Sequence, residues 1–245
     1  KLDKDKKIYK YLRLSELKKD KIFKEKKIDI VINTVTKYDN KYNSFIQIYN
    51  SNFEFSKLIY KLSNNNKIKL FINIDTILFE KKNFYSLTKF FFRKFLNSIN
   101  YDLEMSLVNI RFHNFFSYDE KESNLISLLI RKSKKNQSIL LTKGNQKRDF
   151  IHIEDSVNFI YRIIKCKSYF KKRNIYSYEV GSGRSYSIKN IANLIRKKYN
   201  SDIKLNKFLL KYNNEYEKFN YFSNIKKFEK IFNWKPKNNI YKFFK

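Results

Sequence analysis

The run Leu141-Thr142-Lys143-Gly144-Asn145-Gln146-Lys147-Arg148-Asp149-Phe150-Ile151-His152-Ile153-Glu154-Asp155 decides how the rest of this chain is read. A polar loop, residues 143–147, delivers Arg148 and Asp149 to the start of an alternating strand that carries Phe150, Ile151 and Ile153. Asp155 stands where a helix N-cap belongs, ahead of Val157, Ile160, Ile163 and Ile164 at helical spacing. An arginine at a strand entrance suits a phosphate, because its planar donors bind two oxygens at once. Asp149 beside it can hold the guanidinium or brace the loop. Spacing alone fits an ordinary loop, strand and helix with a surface arginine equally well.

Working outward, Tyr85-Ser86-Leu87-Thr88-Lys89 places a phenol and an ammonium four residues apart, on one face of a helix. A neighbouring ammonium favours the phenolate and brings a tyrosine's proton exchange toward neutral pH. With 19 Tyr and 54 Lys or Arg in 245 residues, roughly four such pairs arise by chance, and an isolated one is a solvated helix face. This pair has a meaningful position. It follows the short apolar run Lys69 to Thr76 with its polar tip, and precedes the helical run Phe90, Phe91, Lys94, Phe95. Ile28 to Thr36 reads as a buried parallel strand ending in a polar turn, and Ser106 to Arg111 as a third strand. The three runs are expected to lie side by side in parallel, with Tyr85 and Lys89 facing their carboxyl ends. Phe53 to Leu62, headed by Asn52, reads as a helix.

Together these segments resemble the NAD-dependent epimerase/dehydratase family, the extended short-chain dehydrogenases that modify nucleotide sugars. Arg148-Asp149-Phe150 resembles the family's "RDF" segment. Arg111 and Asn114 stand as in "Arg-x-x-Asn-x-Tyr-Gly", with Phe116-Ser117 in place of its last pair. Tyr178 to Gly183 resembles "asn-val-Gly-x-Gly", and Phe232 to Pro236 resembles "leu-Gly-Trp-x-Pro". The likeness runs from about residue 28 to 236, and its details are most similar to the branch of CDP-abequose and CDP-paratose synthases, reductases of 4-keto sugar nucleotides.

The fold implied is α/β: a Rossmann-type parallel sheet lacking its first βα unit, with a smaller mixed α/β substrate lobe. The cofactor part would comprise residues 1–111 and 148–177, the substrate lobe residues 112–147 and 178–245, with the substrate in the cleft between them. The implied cofactor is NAD or NADP and the implied partner a nucleoside-diphosphate sugar, with a homodimer as a candidate assembly. Tyr85 would be the acid/base, with Lys89 lowering its pKa and holding the nicotinamide ribose and Asn33 lining the cofactor. Asn114, Arg148 and Lys211 would hold the diphosphate. The family's hydroxyl donor falls in register on Ile74, and Thr76, two residues on and on the same side of the strand, is the substitute. Lys211-Tyr212 stands where the family places a phosphate-binding arginine. No glycine precedes Gly144, so the expected glycine-rich pyrophosphate turn has no counterpart in these residues. That departure and Ile74 keep a second reading open: a non-catalytic relative that binds a sugar nucleotide or serves as an interaction domain.

The formal charge of +31 would ordinarily raise nucleic acid or an anionic membrane as a partner. Here lysine is spread along the chain amid Asn, Ile, Phe and Tyr, residues with A/T-rich codons, so base composition is the simpler cause and a dedicated nucleic-acid function is not expected. A hydrophobic share of 42% supplies a core for one large domain or two small lobes. No apolar run reaches the roughly 20 residues of a membrane span, and no signal peptide is evident, so a cytoplasmic protein is expected. The single cysteine, Cys166, excludes an intramolecular disulfide, and no metal cluster is expected. His152 and His113 read as structural histidines, and Trp234 as a core plug.

Overall fold

A computed structural model of the chain describes residue 23 and residues 27–99, 102–117, 125–141, 144–205 and 220–244. At its centre, β1 (Ile30–Asn33), β2 (Leu70–Thr76), β3 (Ser106–Phe112) and β8 (Ile175–Val180) form one sheet in the order β1-β2-β3-β8. Every pairing in it is parallel. Parallel neighbours need crossovers, and the apolar runs of β2 and β3 require cover on both faces. Helices supply it. On one face Phe71 and Leu107 pack with Tyr60 of α2 (Ser56–Asn65) and with Phe92 and Leu96 of α3 (Phe84–Ser98). On the other, Ile72, Val108 and Ile110 meet Phe159 and Ile163 of α5 (Ile153–Lys165), with Phe228, Phe232 and Trp234 completing the layer. A third cluster, built on Phe116, Ile126, Leu129, Ile191 and Ile195, joins α4 (Leu125–Lys134) to α6 (Ile188–Tyr199). Small sheets surround it: β4 (Asn114–Phe116) beside β7 (Phe150–His152), β5 (Ile139–Leu141) beside β10 (Ile203–Leu205), and β6 (Lys147–Arg148) between β9 (Tyr186–Ser187) and β11 (Asn220–Tyr221). The three strands expected from their apolar runs are therefore present, adjacent and parallel.

Five local readings are corrected. The strand that follows Arg148 stops at His152, and Ile153 opens α5 instead of extending the strand. The helix cap is accordingly His152, whose Nδ1 accepts from the Glu154 N–H at 3.3 Å, not Asp155. Asp155 is buried inside the first turn, where its carboxylate accepts from the backbone N–H groups of Lys237 and Asn238 at 3.0 and 2.9 Å. The helix expected over 53–62 starts earlier: α1 (Phe45–Tyr49), capped by Ser44, runs through a π-helical turn, Asn50–Phe55, into α2. That wider turn is a common device at functional positions, and here it carries Asn52, which is fully buried. The strand at Tyr178, expected in the substrate lobe, lies in the central sheet, paired in parallel with β3. The lobe boundary at 177/178 thus falls inside β8, because Tyr178 and Val180 complete the apolar layer against Phe112 and Phe159. Finally, β1 is less covered than a buried strand: Ile32 is 39% exposed. Among the described residues no helix is long and apolar enough to cross a membrane.

Candidate active site

The carboxyl ends of β1 and β2 and the first turns of α3 converge on one group of side chains. α3 starts at a capping box in which the Asn83 side chain accepts from the Ser86 N–H at 2.9 Å and Ser86 Oγ receives the Asn83 N–H at 3.2 Å. Asp39, in the loop after β1, adds a second cap, its two oxygens accepting from the N–H groups of Phe84 and Tyr85 at 3.1 and 2.7 Å. A carboxylate suits the positive end of a helix, so the helix is pinned where Tyr85 leaves it. One turn on, Lys89 is 2% exposed, and its Nζ donates to the carbonyl oxygens of Val35 at 2.7 Å and Ile74 at 3.0 Å. An ammonium has three donors, so one N–H remains beyond those two bonds.

Tyr85 and Lys89 do not form a direct ammonium–phenol pair. Burial pushes the Tyr85 phenol well above the usual tyrosine range, the nearby Tyr38 adds to this, and a hydrogen bond from the Thr76 hydroxyl pulls it back. The Tyr38 and Tyr85 rings are 4.7 Å apart. Burial lowers Lys89 to about 8, against the pull of the Asp75 charge, which favours the protonated form. In this arrangement the phenol holds its proton at neutral pH and has one to donate, while the lysine is poised near its titration point. The expected lowering of the tyrosine by the lysine is therefore not seen: the ammonium is turned to two backbone carbonyls.

Thr76, the last residue of β2, supplies the hydroxyl beside the phenol, whereas Ile74 packs into the apolar layer below. Asn33 is turned along the sheet, donating to Asn73 Oδ1 at 2.9 Å and accepting from the Val35 N–H at 3.3 Å, so its amide is engaged within the strands. Asn52 braces the loop above: it accepts from the Lys37 N–H at 2.6 Å and donates to the Lys37 carbonyl at 2.9 Å and to Thr88 Oγ1 at 3.1 Å.

Next to this group opens a cavity of about 280 Å³ whose walls include Arg93, Arg111, His113, Asn114, Arg148 and Tyr221. Asn114 and Arg148 come together here as their motifs suggested. Asn114 donates to the Asp149 carbonyl at 3.1 Å and Arg148 to the Lys147 carbonyl at 2.9 Å. Arg111 pairs with Glu179 at 2.5 Å. Lys211 lies outside the described residues. Asp149 does not hold the arginine but braces loops: fully buried, it accepts from the N–H and hydroxyl of Ser182, the Gly183 N–H, and the N–H and hydroxyl of Ser223, all within 2.6–3.1 Å. Gly181 is required by that packing, since a Cβ there would sit 2.3 Å from Asp149 Oδ2.

Sequence reasoning missed the polar layer beneath the site. Asn33, Asn73 and Asn109 each interrupt an apolar strand run at the same level of the sheet. A polar residue repeated inside buried strands was the signal.

A parallel sheet covered by helices on both faces, with polar groups at its carboxyl strand ends, defines an α/β protein of the doubly wound class. The comparisons narrow this. Residues 3–181 match the model of the NAD dependent epimerase/dehydratase family, and the chain belongs to that family. It is similar to the CDP-abequose synthases of Salmonella muenchen (26% identical over 190 residues, 73% of this chain and 62% of the relative) and Salmonella typhimurium (28% over 167 residues, 65% and 55%). The chain thus spans about three-fifths of the length of these relatives. Its fold is similar to UDP-glucose 4-epimerase of Thermotoga maritima, solved with UDP-glucose, with a TM-score of 0.74 at 14% identity over 94% of this chain and 79% of that one. It is likewise similar to RMD from Pseudomonas aeruginosa, solved with NADPH, with a TM-score of 0.70 at 14% identity over 88% and 78%.

Proposed function

We propose that this chain carries the reacting groups of an NAD(P)-dependent enzyme that modifies a nucleoside-diphosphate sugar, acting as a 4-keto reductase, epimerase or dehydratase. The observation that carries the reading is a buried Tyr85 one helical turn from a buried Lys89 whose Nζ is held by the Val35 and Ile74 carbonyls at the ends of two adjacent strands. A bound nicotinamide dinucleotide supplies or accepts the hydride. The residues fit its ribose end, because Lys89 has an N–H beyond its two carbonyl bonds and that donor matches a ribose hydroxyl. Asn33 serves that end indirectly, by holding the Val35 backbone. Tyr85 then gives its proton to the sugar oxygen as charge develops there, or takes it in the reverse direction, and Thr76 donates to the same oxygen. Asn114 and Arg148 hold the diphosphate in the adjoining cavity, with Lys211 as a further cation from its segment. The likeness to CDP-abequose synthases favours a CDP-linked 4-keto sugar as substrate. The alternative, a sugar-nucleotide binder without turnover, is favoured by Ile74 at the family's hydroxyl position.

The test is NADPH oxidation with a CDP-4-keto sugar, followed with the parent chain and Tyr85→Phe. The expected result is turnover that falls about 10³-fold or more in the variant, with sugar-nucleotide binding nearly unchanged, because the phenol's proton matters most in the transition state. Equal rates would remove Tyr85 from the chemistry. Binding without turnover in the parent would favour the alternative.

A further inference from the structure

Asn33, Asn73 and Asn109 are cross-strand neighbours in β1, β2 and β3, and each is at most 3% exposed. Their amides run in one direction: Asn33 donates to Asn73 Oδ1 at 2.9 Å, Asn73 to Asn109 Oδ1 at 2.7 Å, and Asn109 to Asp75 Oδ2 at 3.0 Å. Asp75, itself buried, also accepts from the Thr76 N–H at 2.7 Å and from Arg93 Nη1 at 2.7 Å. The layer below on the same face is Val31, Phe71 and Leu107, wholly apolar and packed in the core. Continuing it upward with apolar side chains would stabilise the sheet at least as well, since buried polar networks rarely outdo packed hydrocarbon.

Both ends of the chain reach the reacting groups. At one end Asn33 Oδ1 accepts from the Val35 N–H, and the Val35 carbonyl receives Lys89 Nζ. At the other Asp75 holds the backbone of Thr76, whose hydroxyl meets Tyr85. We propose that this chain of amides, ending on Asp75 and Arg93, is a positioning network for the Tyr85, Thr76 and Lys89 group: it ties the strand end that holds the lysine to the strand end that holds the tyrosine, and fixes one buried carboxylate beneath both. Arg93 also lines the cavity, so the network runs from the cavity wall to the lysine. The inference rests on the proposed roles of Tyr85 and Lys89.

The charge that acts on Lys89 is Asp75 of β2, itself paired with Arg93 of α3; Tyr85 lies one turn away on α3, with Tyr38 and Asp39 of the loop after β1 against it. Among them Asp75 opposes the burial that lowers the lysine to about 8. Asp75→Asn keeps the shape and removes the charge, so Lys89 should lose its proton at lower pH, by about one unit. Arg93→Met leaves the carboxylate without its cation, so Lys89 should titrate at higher pH. NMR titration of lysine labelled with ¹⁵Nζ and ¹³Cε reads this directly, the Lys89 signal being assigned by its loss in Lys89→Met. Asn73→Leu breaks the amide chain without touching Asp75, and should speed hydrogen exchange at the Val35 and Thr76 amides. An unmoved Lys89 signal in both charge variants, or shifts of the same sign, overturns the proposal, as does unchanged exchange in Asn73→Leu. If Asp75→Asn fails to fold by circular dichroism, Arg93→Met decides. None of these readouts needs turnover, so a chain that shows the shifts but reduces no sugar would sink the proposed activity and leave the network standing.

Discussion

Two polar regions of this molecule, a few residues apart, are built on opposite terms. Beneath Tyr85 and Lys89 the buried side chains of Asn33, Asn73, Asn109, Asp75 and Lys89 are all engaged in hydrogen bonds at 2.7–3.0 Å. In the cavity wall, Arg111 Nε and both ring nitrogens of His113 are buried with no hydrogen-bond partner among the described residues. His113 is 3% exposed, its ring 5.1 Å from Tyr221, and burial holds it below the usual histidine range, so it is neutral at pH 7 and offers one donor and one acceptor. The pair of observations separates two functions of buried polarity. A closed network fixes geometry before any ligand arrives. Polar atoms left over beside a cavity cost about 1–3 kcal/mol each while unmet, which favours a ligand that reaches them.

The largest expected effect breaks the buried hub behind the cavity-side loops. Asp149→Ala removes the acceptor for five buried donors on the loops at Ser182, Gly183 and Ser223, and should cost about 3–5 kcal/mol of stability. Urea unfolding of the two proteins gives this number, and a loss under 1 kcal/mol would show that the loops repack around the gap. Next, Thr76→Val keeps the β-branched shape at the tip of β2 and deletes its hydroxyl. If the closed region works through that oxygen, kcat should drop on the order of 10² to 10³, by analogy with other oxyanion donors, while KM holds. A drop shared equally by kcat and KM, or none, would place the essential hydroxyl elsewhere.

Much of the closed region could be read before the structure. The apolar runs at 28–36, 69–76 and 106–111 gave adjacent parallel strands, and a four-residue spacing put Tyr85 and Lys89 on one helix face. What stayed hidden was direction. Nothing in the spacing says that Lys89 turns to the carbonyls of Val35 and Ile74 instead of the phenol, because that depends on where two strand ends come together. The asparagine chain left a signal, one polar residue at the same level of three apolar runs, but abundant Asn along the chain blunted its contrast. The helix start at Ile153 was missed because His152, an uncommon cap, does the work usually left to Asp, Asn, Ser or Thr. On the cavity side Arg148 and Asn114 were found through their motifs. The partnerless nitrogens of His113 were not, since an unmet hydrogen bond has no sequence signature.

The proposed function requires the cavity to be the place where a nucleoside diphosphate sugar is held. Arg148→Lys keeps the charge and loses the planar fork. Isothermal titration of CDP-glucose and UDP-glucose into the parent and this variant should show saturable binding that weakens by about 1–3 kcal/mol, roughly 5- to 150-fold, in the variant. Equal affinity in the two proteins, or no binding to the parent, would mean that the Arg148 segment is structural and that the open region serves another partner.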